Sequence, residues 1–200
     1  MTDSTAATKA AARTEARTRR KALSPDVRRV ASAMICAHII ASASFVAADL
    51  VLSYAPVGSE ADVLDVVRSS LDAGVRAAIP RVNGDLLSFD QIDEIEVGSL
   101  ASLEVGAFGI PVAAQPRPVV PTKRTLALVP LLAFDRHGRR LGSGKGFYDR
   151  FLAQFPGVAI GVAFAVQEVE LVPTEPHDRR LDGVVTEAGL LADDRRWGEA

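Results

Sequence analysis

The sequence predicts a single α/β domain with a mainly parallel central sheet flanked by helices. Three observations predict it. Short apolar runs of strand length alternate with stretches of helical periodicity. The strongest run, residues 125–134, is apolar at nearly every position, as a strand covered on both faces requires. The chain has 200 residues, 48% of them apolar and 24% charged, which is enough for one real core and an ordinary solvated surface. The expected division is a flexible start over residues 1–8, the α/β domain over 9–190 and a tail over 191–200.

The elements follow in order. Residues 1–29 hold eight Lys or Arg against three Asp or Glu. That composition also suits a transit peptide or a nucleic-acid arm. A helix accounts for it without either, because Lys9, Arg13, Arg17 and Arg20 recur at helical spacing on one face. For residues 17–21 a solvated basic face is expected. Ser24 then reads as an N-cap and Pro25 as the first helical position. Val27, Val30, Ala31, Met34, Ile35 and Ile39 give the second helix an apolar stripe. Cys36 lies within it and is expected to be buried and inert. Residues 46–55 suit a buried strand. Val63, Leu64, Val67 and Leu71 share one face of a helix over 60–71. Strands are expected over 75–80 and, briefly, 86–89. The prolines of 115–121 mark a loop. After the strand at 125–134, a helix over 147–155 and a strand over 158–165 follow, and 181–186 ends the sheet.

Composition excludes several classes. The net charge of −2 gives no general attraction to nucleic acid or anionic lipid. One cysteine rules out an internal disulfide and a cysteine-built zinc site. No apolar run reaches the ~18–20 residues of a membrane span. No internal repeat is visible, and neither a Ser-His-Asp nor a Cys-His arrangement is evident. A cytoplasmic monomer is expected, with no nucleic-acid or membrane partner.

The chemistry concentrates in Arg140-Leu141-Gly142-Ser143-Gly144-Lys145-Gly146-Phe147-Tyr148-Asp149-Arg150. Three glycines alternate between an arginine and an aromatic-acid pair. Glycine allows backbone N–H groups to approach a ligand closely, and such groups at a helix start bind anions. Arg140 and Lys145 add positive charge, and Asp149 adds an oxygen of the kind Mg²⁺ prefers. The whole reads as a polyphosphate loop with its own metal carboxylate. It is not a P-loop, because Gly146 stands where Ser or Thr is needed. It is not a Rossmann fingerprint either, because only Lys145 separates the last two glycines. The blander alternatives are a glycine-rich strand-to-helix turn, with Asp149 compensating a helix N-terminus.

The surrounding residues resemble the 5-formyltetrahydrofolate cyclo-ligase family. The likeness runs through Lys9-Ala10-Ala11-Ala12-Arg13, Ile79-Pro80-Arg81-Val82 and Gly106-Ala107-Phe108-Gly109-Ile110. It continues through residues 128–135, the glycine loop with residues 147–152, Gly161-Val162-Ala163-Phe164 and His177-Asp178. It spans about residues 9–187.

This resemblance implies ATP- and Mg²⁺-dependent cyclisation of 5-formyltetrahydrofolate to 5,10-methenyltetrahydrofolate through a phosphorylated formyl group, with release of ADP and phosphate. It implies ATP binding by Lys9, Arg13, Arg140, Gly142, Gly144, Lys145, Gly146 and Tyr148, with Lys145 and Arg140 acting in the chemistry. Glu60 matches the family's substrate carboxylate, and Phe147 and Tyr148 offer rings to stack on the folate. Asp149 and Asp178 are the implied Mg²⁺ ligands. Glu60 also reads as a helix N-terminal acid, and Asp178 as a turn residue. Two departures stand out: Phe147 replaces a common tyrosine, and Gln115 stands where the family often has an acid. The second admits an alternative, a folate- or nucleotide-binding paralogue with weakened catalysis.

Overall fold

Seven strands form the central sheet, in the order β11-β10-β9-β6-β1-β2-β3. The strands are β1 Leu50–Leu52, β2 Arg76–Asn83, β3 Leu86–Ile92, β6 Thr125–Pro130, β9 Val158–Val162, β10 Gly183–Thr186 and β11 Gly189–Ala192. The inner pairings, β10 with β9, β9 with β6, β6 with β1 and β1 with β2, are all parallel. Antiparallel strands close both edges, β3 on β2 and β11 on β10. This computed structural model describes residues 2–93, 103–175 and 178–192. The mainly parallel α/β domain expected from the alternation of elements is the one observed.

Burial explains the apolar runs. Alternate residues of a strand face opposite sides of a sheet. In β1, Val51 faces one core while Leu50 and Leu52 face another. In β6, Leu126 and Leu128 join Val51, and Ala127 and Val129 point the other way. One face is covered by helices α2 (Pro25–Ile40), α3 (Ala43–Val46) and α4 (Leu64–Asp72). The other is covered by α5 (Phe147–Leu152), whose Phe151 packs 5.0 Å from Phe89 and 5.1 Å from Phe155 between ring centroids. Helix α1 (Thr2–Ala22) lies across the end of this layer. Its Ala12 and Ala16 pack with Leu132, Ala133, Leu141 and Val172.

Several expectations are corrected. The strand expected over 46–55 shrinks to Leu50–Leu52, because Ser42 caps the short α3 ahead of it. The helix expected from residue 60 starts at Leu64, whose N–H is taken by Asp62 Oδ1, so Glu60 precedes the helix. In α2 the buried face is Ala31, Ser32, Ile35, Cys36 and Ile39, whereas Val27, Val30 and Met34 are about half exposed. The run over 125–134 divides after Pro130. There Gln167 Nε2 donates to the carbonyls of Leu131 and Leu132 at 2.9 and 3.0 Å and draws the chain out of the sheet. Its end becomes β7 (Ala133–Phe134), paired with β8 (Arg140–Leu141) in a separate ribbon. A second ribbon, β4 (Leu103–Val105) with β5 (Pro111–Ala113), and the edge strand β11 carry no clear pattern in the sequence.

Candidate active site

Chain order in the sheet reverses between β1 and β6. From β1 the chain proceeds outward to β2 and β3, then returns to the other side as β6, β9 and β10. Ligands of open α/β sheets collect beyond the strand carboxyl ends at such a point. A cavity of about 350 Å³ lies there. Its walls include Tyr54 and Ala55 after β1, Pro80 and Val82 of β2, and Pro130–Leu132 at the end of β6.

All twelve residues singled out in the sequence line this one cavity: Lys9, Arg13, Glu60, Arg140, Gly142, Gly144, Lys145, Gly146, Phe147, Tyr148, Asp149 and Asp178. His177 lies outside the described residues. Gln115 is exposed and is not among the residues lining the cavity, so it lends no support to weakened catalysis.

Segments far apart in sequence are tied together by charge. Lys9 is only 5% exposed, and its Nζ donates to Glu175 Oε2 at 2.7 Å and Asp178 Oδ2 at 2.6 Å. Burial alone would lower the ammonium pKa, but the hydrogen bonds to Asp178 and Glu175 outweigh it and hold it above the usual lysine value. Arg140 is 7% exposed, donates from Nη2 to Asp149 Oδ1 at 2.6 Å and from Nη1 to the Arg179 carbonyl. Burial pulls its pKa below the ordinary guanidinium value, and Asp149 and Asp178 oppose that pull. Two cations of the site are therefore paired with the two aspartates expected to hold a metal. Asp178 Oδ2 also accepts the Glu175 N–H at 2.7 Å, which joins its turn-residue reading to its place in the cavity wall.

The glycine loop hangs between α1 and α5. Arg13 Nε donates to the Gly142 carbonyl at 3.1 Å. Gly144 has φ +101°, and a Cβ there would meet the Arg13 guanidinium at 3.2 Å. Gly146, at φ +70°, is the left-handed residue that starts α5. L-residues avoid both conformations. Gly142 differs: its φ is not positive and a Cβ would meet nothing within 4 Å. Nothing among the described residues requires glycine at that position. Helix α5 has only six residues, so loop N–H groups and side-chain cations carry any anion attraction more than a helix dipole does.

Glu60, Tyr54 and Tyr148 form another part of the cavity wall. Glu60 Oε2 accepts the Val57 N–H at 3.1 Å, and burial raises the carboxyl pKa above its ordinary value. Its reading as a helix N-terminal acid fails, since α4 begins at Leu64. Tyr54 donates to the Ala61 carbonyl at 2.7 Å. The Tyr148 hydroxyl is buried with no partner among the described residues, and burial pushes its pKa well up, so it stays a neutral donor.

Arg17, Arg20, Tyr54, Val82 and Leu87 also line the cavity, and sequence reasoning did not select them. The expected solvated face at 17–21 fails for Arg20, which is 9% exposed. A usable signal existed, because Arg17 and Arg20 share the helix face of Lys9 and Arg13. Among the described residues, no group of three or more His, Cys, Asp or Glu comes together to hold a metal ion. Nor does any described helix have the length and apolarity to cross a membrane.

A mainly parallel α/β domain with a cation-rich cavity at its topological switch point has the architecture of a small-molecule enzyme. The chain belongs to the 5-formyltetrahydrofolate cyclo-ligase family, a family of ligases, whose sequence model matches residues 5–187. It is 34% identical over 153 residues to the 5-formyltetrahydrofolate cyclo-ligase of Mycolicibacterium smegmatis, covering 71% of this chain and 76% of that one. The Escherichia coli cyclo-ligase is 30% identical over 178 residues, with coverage of 85% and 95%. The NMR structure of Aquifex aeolicus 5,10-methenyltetrahydrofolate synthetase superposes with a TM-score of 0.77, at 30% identity and 91% coverage of both chains.

Proposed function

We propose that the protein cyclises 5-formyltetrahydrofolate to 5,10-methenyltetrahydrofolate, consuming ATP with Mg²⁺ and releasing ADP and phosphate. One observation carries this reading: residues matching the family's motifs in segments far apart in the chain, from Lys9 to Asp178, meet around one cavity at the switch point. ATP supplies the phosphoryl group that turns the formyl oxygen into a leaving group, and Mg²⁺ supplies charge neutralisation between its phosphates. The folate carries both nucleophile and electrophile, so the protein's task is positioning rather than covalent catalysis.

The cavity lining suits both substrates. Around the glycine loop, Lys9, Arg13, Arg140 and Lys145 supply cations for a polyphosphate. Gly142, glycine without an internal steric reason, leaves room for one to approach the backbone. Lys145 and Arg140 stabilise the charge that develops on the transferred phosphoryl group. Glu60 and the Tyr148 hydroxyl, which has no partner among the described residues, offer an acceptor and a donor beside rings that stack on a pterin. The Mg²⁺ ion fits the donor set. Asp149 and Asp178 line the same cavity, and Mg²⁺ takes one or two carboxylates, with phosphates and waters completing its shell. Asp149 and Asp178 would hold the ion, and they are the same two aspartates that pair with Arg140 and Lys9.

The direct test follows methenyltetrahydrofolate by absorbance with 5-formyltetrahydrofolate, Mg²⁺ and ATP. Lys145 is exposed, so Lys145→Ala is expected to keep its fold. One lost charge-assisted contact should weaken ATP use roughly 10- to 150-fold. Protein that binds both ligands yet forms no product or ADP points instead to a binding paralogue. Asp149→Asn and Asp178→Asn should each raise the Mg²⁺ requirement, by about tenfold or more, while changing folate affinity less. Magnesium titrations indistinguishable from the parent protein in both variants would remove the aspartates from the metal site.

A further inference from the structure

Arg20 is a buried guanidinium to which the reaction gives no part. Its Nε donates to Ser59 Oγ at 3.0 Å, and its Nη1 makes a weak 3.5 Å contact with the Leu131 carbonyl. Neither partner is charged. Burial lowers its pKa and so works against its charge, as do Arg17 and Arg28 nearby, whereas Glu60 favours it. A cation in such a place needs an anion to offset its desolvation. The only carboxylate paired with it among the described residues is Glu60, whose Oε1 lies 3.8 Å from Nη1.

That distance has a chemical consequence. It is short enough for strong Coulomb attraction and too long for a directional hydrogen bond. Glu60 Oε2 is occupied by the Val57 N–H. Among the described residues no donor lies within hydrogen-bonding distance of Oε1. The carboxylate is thus oriented from one side, favoured as an anion from another, and left with an open oxygen. The other titratable groups around Glu60 are Tyr54, after β1, and Tyr148, on α5. Burial raises both phenols, so both are neutral near pH 7 and neither supplies compensating positive charge. Burial also raises the Glu60 carboxyl, and among the described residues Arg20 is the side chain that counters this.

We propose that Arg20 is a positioning residue, which holds the Glu60 carboxylate so that Oε1 accepts hydrogen bonds from the N–H edge of a heteroaromatic ring in the cavity. The proposal rests on the reading of Glu60 as the ring-binding carboxylate. It also gives α1 a double office: its middle turns, with Lys9 and Arg13, serve the polyphosphate and its last turn serves the ring.

The test pairs two measurements on the full chain. Carbon-13 NMR titration of Glu60 is followed in the parent protein, in Arg20→Met and in Arg20→Lys. Equilibrium binding of 5-formyltetrahydrofolate is followed against pH in the same proteins, in Glu60→Gln and in the double variant. Without Arg20, Glu60 should become a weaker acid by roughly 10- to 1,000-fold. Folate binding, lost as Glu60 protonates on acidification, should then fail at correspondingly higher pH. Arg20→Lys should restore most of both effects, and Arg20→Met should add nothing in the Glu60→Gln background. A merely structural arginine would weaken binding by the same factor at every pH and in both backgrounds, and that result overturns the proposal. An unmoved Glu60 titration with folate binding intact overturns this role alone. Absence of folate binding by the parent protein overturns the functional reading and this role with it.

Discussion

Arg140→Ala should unfold at distinctly lower denaturant concentration and lose nearly all turnover. Removing one member of a buried ion pair strands the other and costs about 3–5 kcal/mol. Asp149 retains 25% side-chain exposure, and water will relieve part of that cost, so about 3 kcal/mol is expected. The Arg179 carbonyl loses its donor as well. In the sequence Arg140 reads only as a cation of the polyphosphate loop. The structure makes it a support of the loop too. Arg140→Ala combined with Asp149→Ala should regain part of the stability and none of the activity. An unfolding midpoint equal to that of the parent protein would refute the structural half of this expectation.

Removing residues 1–14 should lower turnover by roughly 10²- to 10⁴-fold, the product of two lost charge-assisted contacts. Those contacts belong to Lys9 and Arg13. The sheet and its two layers should persist, since the main core clusters draw on residues from Leu23 onward. Some loss of stability is expected, because Ala12 leaves the patch it shares with Leu132, Leu141 and Val172. Lys9 also ties α1 to Glu175 and Asp178, so the 175–178 segment should become easier to cleave by protease. Circular dichroism would report the sheet, and the methenyltetrahydrofolate assay the activity. Full turnover by the truncated protein would mean that the amino-terminal helix is no part of the site.

The two expectations differ in how far the sequence foretold them. Lys9 and Arg13 stand on one helix face, a local property visible in spacing alone. Arg140 looks like any loop cation until its burial is known. Arg20 was misjudged for the same reason. Its spacing from Arg17 put it on the right face, but a basic cluster in isolation reads as solvated. Only the packing of α1 against Ser59 and Leu131 removes it from water. Glu60 was placed at a helix start that lies four residues further on, because Asp62 takes the Leu64 N–H.

By itself the sequence determined the α/β class, the succession of the main strands along the chain and the glycine loop. These are written in local terms: periodicity, apolar run length, and the need for glycine at particular backbone conformations. Gly144 and Gly146 stood out as closely spaced glycines, and the structure adds that both hold a left-handed backbone that L-residues avoid. Tertiary structure alone decided which charges meet. Arg13 reaches Gly142 across 129 positions of chain, and Lys9 reaches Asp178 across 169. It also decided where the long apolar run breaks, through a glutamine 36 positions beyond Leu131. Such pairings depend on how layers stack and on which polar groups burial leaves needing a partner. Both are properties of the assembled core, and no short window of sequence contains them.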